Sequence, residues 1–256
     1  MAELQLRQSI KLHPGEDDFD IKSCVINEEK LIFADKKNKR LIIHSSDSSF
    51  LANIPLSSEP FGIAIVDPQI VVVTYGRDWF IEFINLETKV ANKISLNGNC
   101  WGVTYEGGNL YVIVDRQGII VLTTTGEKIK TIPVSDEFDQ ATHIAVNGEN
   151  IVFTTFVPTN LVCTDLEGTV RWQFNMSIIN QPRAVTVDSK GNIFVAGFGS
   201  HTISLVKENG SNGTVMLNNE DGINYPCGIY CDRSKHRLLV CNINNGSSYL
   251  YDVLYQ

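Results

Sequence analysis

Six residues stand immediately before equivalent short apolar runs: Lys22, Phe61, Trp101, Thr142, Arg183 and Cys227. A second set follows the next apolar run of each segment: Asp35 with Lys36, Tyr75 with Arg77, Asp115 with Arg116, Phe156, Phe198 with His201, and Asn242 with Asn244. Rings and guanidinium groups dominate both sets. That mixture suits recognition, because Trp, Tyr and Arg combine a large contact area with hydrogen bonds that are costly to leave unmade. Lys22, Lys36, Arg77, Arg116 and Arg183 could receive phosphates while Phe61, Tyr75 or Trp101 stacks on bases. The run KKNKR at 36–40 would extend this basic patch, although its polar hairpin setting favours a solubilising role. Asp115 beside Arg116 reads either as an ion pair between structural units or as part of a binding surface.

Catalytic chemistry is less well served. A calcium-dependent hydrolase needs several carboxylates and amides converging on a hard cation. Only Asp35, Asp115 and Asn242 come near that requirement, each far from the others in sequence and beside a cation or a strand end. Five histidines, at 13, 44, 143, 201 and 236, are scattered, and Cys227, Cys231 and Cys241 form no Cys-x-x-Cys pair for zinc. No Gly-x-Ser-x-Gly elbow places a serine above a sheet. The sequence therefore leads us to expect no catalytic residues, no metal and no cofactor.

What must position these side chains is a repeat. The equivalent inner positions Ser23, Gly62, Gly102, His143, Ala184 and Gly228 lie 39, 40, 41, 41 and 44 residues apart. Within a unit, GIAIV, IVVVT, WFIEFI and KVANKISL read as four short strands joined by turn residues, with almost no stretch of helical period. Six such antiparallel sheets around an axis predict an all-β, six-bladed β-propeller. The sixth unit, 225–256, supplies only three strands, so the strand at 4–12 is expected to complete it and close one domain spanning 1–256. A seven-bladed ring lacking a blade, or a sandwich, fits the steady period less well. The Gly197 and Gly199 pair precedes a strand, HTISLV, rather than a helix, which argues against a phosphate-cradling loop.

Composition narrows the partners. There are 21 basic residues against 29 acidic ones, a formal charge of -8, which disfavours bulk attraction to nucleic acid or anionic lipid. Hydrophobic residues make up 43% of the chain, enough for a full core. The N-terminal segment lacks the pattern of a secretory signal and no apolar run would span a bilayer, so the chain reads as soluble and cytoplasmic. The six cysteines sit mostly in apolar strand-like runs and read as buried free thiols.

The segments QPRAVTVDSKGNIFVAGFGSHTISLV, EPFGIAIVDPQIVVVTYG and YPCGIYCDRSKHRLLVCN resemble the NHL repeat. The likeness spans nearly the whole chain but is close only in the fifth repeat. Gly191-Asn192 there becomes Pro68-Gln69 and Glu149-Asn150 elsewhere. This resemblance implies a propeller like that of tripartite-motif ubiquitin ligases of the divergent invertebrate type, without the domains that carry ligase activity. It implies a monomeric, non-catalytic recognition domain that binds a protein, or alternatively single-stranded or stem-loop RNA, and no membrane. A calcium-dependent lactonase or phosphotriesterase is the remaining alternative. The surface expected to bind comprises Lys22, Lys36, Phe61, Tyr75, Arg77, Trp101, Asp115, Arg116, Arg183 and Asn242.

Overall fold

The computed structural model describes residues 2–174 and 178–255. The strands form six four-stranded antiparallel sheets, the blades of a propeller. In chain order the blades span 21–55, 62–95, 100–132, 141–174, 182–217 and 226–255. The first strand, Ala2–Lys11, is the outer strand of the last blade. It pairs antiparallel with Ser247–Tyr255 from Ala2↔Tyr255 to Lys11↔Ser247, with an irregularity between Leu6 and Gln8. The chain thus joins both of its ends in one sheet.

Each blade buries both faces of its inner strands, which explains the near-continuous apolar runs. Val71, Val72 and Val73, for example, are fully buried, whereas the outer strand Ala91–Ser95 is mostly exposed. Alternate residues of one strand face opposite neighbours. Val71 and Val73 pack toward the first blade while Val72 packs toward the third. The result is six apolar layers between adjacent blades in place of a single central core. All six cysteines are buried and free, and burial pushes the thiol of Cys227 up to about 11 and that of Cys100 to about 12.

At the axis the innermost strands of neighbouring blades nearly touch. A Cβ on Gly102 would lie 2.6 Å from the Thr142 carbonyl oxygen and 2.9 Å from the His143 Cα. One on Gly228 would lie 2.6 Å from the Cys241 Sγ and 3.0 Å from the Ser23 Cα. Glycine at these two of the six period-setting positions is therefore a steric requirement of the closed ring. No helix among the described residues is long and apolar enough to cross a membrane.

Backbone at Gly102 cannot yield without moving the fourth blade. Gly102→Ala is expected to destabilise the protein by about 2 kcal/mol, the usual scale for overpacking, seen as a lower urea midpoint at unchanged slope.

Candidate active site

The residue before each small inner position is lifted to the face of the ring where the innermost strands begin. Phe61, Arg77, Trp101, Asp115, Arg116, Thr142, Phe156 and Arg183 come together there, with Asp139, Gln140 and Ala141, around a cleft of about 490 Å³. A contiguous hollow of about 320 Å³ adds Lys22, Lys36 and Tyr75 and shares Phe61, Arg77 and Trp101 with it. Nine of the ten residues expected at a binding surface thus line one continuous depression. Asn242 does not: it is fully buried, where its Oδ1 accepts from the Asn224 amide at 2.9 Å and its Nδ2 donates to the Gly222 carbonyl at 3.0 Å. Tyr75 lines the hollow but is itself buried, with its hydroxyl committed to Glu82.

The cleft is built by specific polar ties. Asp115 is held by Trp101 Nε1 at 2.5 Å and Asn99 Nδ2 at 2.8 Å, so it fixes the indole and does not pair with Arg116. Phe61 meets Trp101 edge-on, ring centroids 5.1 Å apart. Thr74, at the end of the second strand of its blade, donates to the Trp101 carbonyl, and Thr154 in the corresponding place donates to the Arg183 carbonyl at 2.8 Å. Two threonines closing otherwise apolar strands, IVVVT and NIVFTT, were the sequence signal for these anchors. Hydroxyl groups there reach across to the next blade and fix the backbone beneath a cleft residue.

The cations of the expected surface divide into two groups. Lys22 pairs with Asp20 at 2.7 Å and Lys36 with Glu59 at 3.3 Å. In the rest of the 36–40 run, Lys37 pairs with Asp18 at 3.6 Å, and Arg40 is buried against Asp35 at 3.0 Å. Arg77, Arg116 and Arg183 have no carboxylate partner among the described residues. The Arg183 guanidinium instead lies 5.2 Å from the Phe156 ring and 5.0 Å from the Phe198 ring, and its Nε is buried without a hydrogen-bond partner. Guanidinium groups left in this condition are ready to receive an anion.

His143 stands where the cleft meets the channel. Its ring is 4.9 Å from that of Phe61, its Nδ1 is 3.1 Å from Thr142 Oγ1, and its Nε2 is buried with no hydrogen-bond partner. Burial first, and then the charges of Arg183 and Lys22, lower its pKa to about 3, so the imidazole is neutral. Below it the channel widens into a cavity of about 210 Å³ lined by Ser23, Gly62, Gly102 and Ala184, among others. At the far end Arg233 bridges four blades. It reaches Glu106 at 2.9 Å, the Val146 carbonyl at 2.6 Å and the Val187 carbonyl at 3.0 Å.

The residues nearest to a hard-cation donor set are already committed elsewhere. Asp35 is fully buried, with Oδ2 taken by Arg40 Nε at 3.0 Å and Asn38 Nδ2 at 2.8 Å. Asp115 and Asn242 are committed as described. Among the described residues, no group of three or more His, Cys, Asp or Glu is placed to hold a metal ion. These side chains do not fit the calcium site of the hydrolase alternative.

No family model matches the chain, and no curated protein matches it. Solved structures do. A structural-genomics protein of unknown function from Bacteroides thetaiotaomicron superposes with a TM-score of 0.78 at 12% identity, covering 99% of this chain and 76% of its own. Virginiamycin B lyase from Staphylococcus aureus, in an inactive H270A form with quinupristin, gives 0.72 at 12%, covering 99% of this chain and all of its own. A gluconolactonase from Xanthomonas campestris gives 0.76 at 9%, covering 99% and 94%. At these identities the likeness establishes the shared fold.

These neighbours correct the expectation drawn from the NHL resemblance. A streptogramin B lyase also superposes, with a TM-score of 0.67 at 12% identity, so these neighbours of stated activity are two lyases and a lactonase rather than NHL-repeat domains, and no family model supports the NHL and tripartite-motif kinship. The non-catalytic recognition domain, its ubiquitin-ligase setting and the expected absence of enzymatic activity are set aside with it. The resemblance had a local cause. In the fifth repeat Asp188 accepts from the amides of Lys190 and Asn192 and from Asn192 Nδ2, each at 2.8 Å, which is what any tight hairpin of this shape requires.

The pH dependence of stability reports on His143. Its unfolded imidazole titrates near 6.5 and its folded one near 3, so between those values the unfolded chain holds the extra proton and stability falls as pH drops. The wild type is expected to lose up to about 5 kcal/mol more than His143→Gln between pH 7 and 3, by urea titration. His44, whose pKa is also lowered by burial, titrates in both proteins and cancels in the difference.

Proposed function

We propose that this protein is an enzyme of the lyase or lactonase kind that cleaves a carbon–oxygen bond of an ester or lactone at the cleft above the channel. Its main support is His143, a neutral imidazole lining the channel cavity directly behind the cleft residues Phe61 and Thr142, whose Nε2 has no partner, with the unpaired Arg183 as the cation foremost in its electrostatic surroundings. In the tautomer that places the Nδ1 proton toward Thr142 Oγ1, Nε2 carries the lone pair, and a substrate anion on Arg183 would offset one of the charges that hold its pKa near 3 and so raise its basicity. The guanidinium groups of Arg77, Arg116 and Arg183 stand ready for the carboxylate that such a cleavage releases.

Elimination suits this geometry better than hydrolysis. Activating an attacking water needs a second polar atom to hold it, and Nε2 has no polar neighbour within hydrogen-bond distance. In the elimination, Nε2 takes a proton from the carbon next to a carbonyl. The electrons of that C–H bond form a carbon–carbon double bond, and the C–O bond to the acyloxy group breaks. Its electron pair leaves on the carboxylate, which the arginines receive. Similarity to two lyase structures agrees with this choice.

The test is a panel of β-acyloxy carbonyl esters and simple lactones, followed by carboxylate release and by absorbance of the conjugated alkene. His143→Gln is expected to lower kcat at least about 100-fold while the protein remains folded. Unchanged turnover in that variant, or oxygen from labelled water in the carboxylate, would overturn the mechanism.

A further inference from the structure

The cleft presents cations and flat faces together, and that pairing narrows the chemistry of its ligand. Arg183 is gripped between Phe156 and Phe198, which fixes the plane of its guanidinium and leaves the in-plane N–H edge as its means of binding. Trp101 is locked from the other side by its bond to Asp115, so its ring is a preset wall. Phe61 stands edge-on to that wall, and Phe156 is 46% exposed in spite of its size. Of the two carboxylates in the cleft, Asp115 is already satisfied by Trp101 and Asn99, and Asp139 sits exposed at the rim beyond a short 3-10 turn.

Resting on the proposed site, we infer that the substrate is an arene-bearing carboxylic acid derivative. Its anionic group docks on the Arg183 edge with Arg77 and Arg116, and its ring lies against Trp101 and Phe61. A purely aliphatic acid would present no ring face to the Trp101 indole. A neutral arene would leave the Arg183, Arg77 and Arg116 guanidinium groups, which have no carboxylate partner among the described residues, without a counter-charge. A volume of about 490 Å³ accommodates a ligand of this size with room for the acyl partner.

Inert probes separate this claim from the catalytic one. Benzoate, acetate and benzamide are titrated calorimetrically into the full chain at fixed salt. Benzoate is expected to bind at least about tenfold more tightly than either of the others, one factor from the ring and one from the charge. Arg183→Gln should weaken benzoate at least about tenfold and leave benzamide unchanged, and Trp101→Leu should erase the preference of benzoate over acetate. Equal binding of benzoate and acetate, equal binding of benzoate and benzamide, no binding by any probe, or an unaffected Arg183→Gln variant would each overturn the inference. Benzoate binding in a protein that cleaves no ester removes the enzymatic reading and leaves the ligand class standing. Cleavage of aliphatic and aromatic esters at equal kcat/KM does the reverse.

Discussion

Everything in this molecule hangs on how closely six strands can approach one axis. The Cβ positions at Gly102 and Gly228 are occupied in effect by the backbone or side chains of other strands, so at those blades the ring closes only because a side chain is absent. That crowding also explains why large groups appear one residue earlier. Phe61, Trp101 and Arg183 precede the narrowest point and stand clear of it, on the one face where there is room. The cleft is a by-product of the packing limit, built from whatever the chain places just ahead of it.

Electrostatics then decides what the cleft is good for. In a chain of charge -8, many cations are neutralised locally, as Lys22, Lys36 and Arg40 are by neighbouring carboxylates. Arg77, Arg116 and Arg183 have no such partner among the described residues, and they share one depression. Burial keeps His143 uncharged, and the charges of Arg183 and Lys22 reinforce that state. An anion settling on Arg183 would remove one of the causes that depress the imidazole, so ligand charge and base strength are coupled through a short stretch of protein.

The architecture was legible because its signals are local and periodic. Six equivalent positions at nearly constant spacing, five of them small, with turn residues between apolar runs, define blades, and the spare strand at the N-terminus defined the closure. The cleft was partly legible, since a residue's place within the repeat says which face it reaches. What spacing could not reveal was where each polar side chain spends its hydrogen bonds. Tyr75 and Asn242 occupy the right register yet turn inward to Glu82 and to the Gly222–Asn224 loop. Asp115 looks like the partner of its neighbour Arg116 and is in fact the partner of an indole fourteen residues earlier. The likeness to NHL repeats followed hairpin chemistry around Asp188, which any blade can need, and so carried no information about activity.

Arg233 is a polar clasp at the end of the channel opposite the cleft. Its guanidinium joins the ends of innermost strands from four blades. One side chain thereby ties the third, fourth, fifth and sixth blades together, so the closure of the ring is backed at that end by hydrogen bonds and an ion pair as well as by the apolar layers between blades.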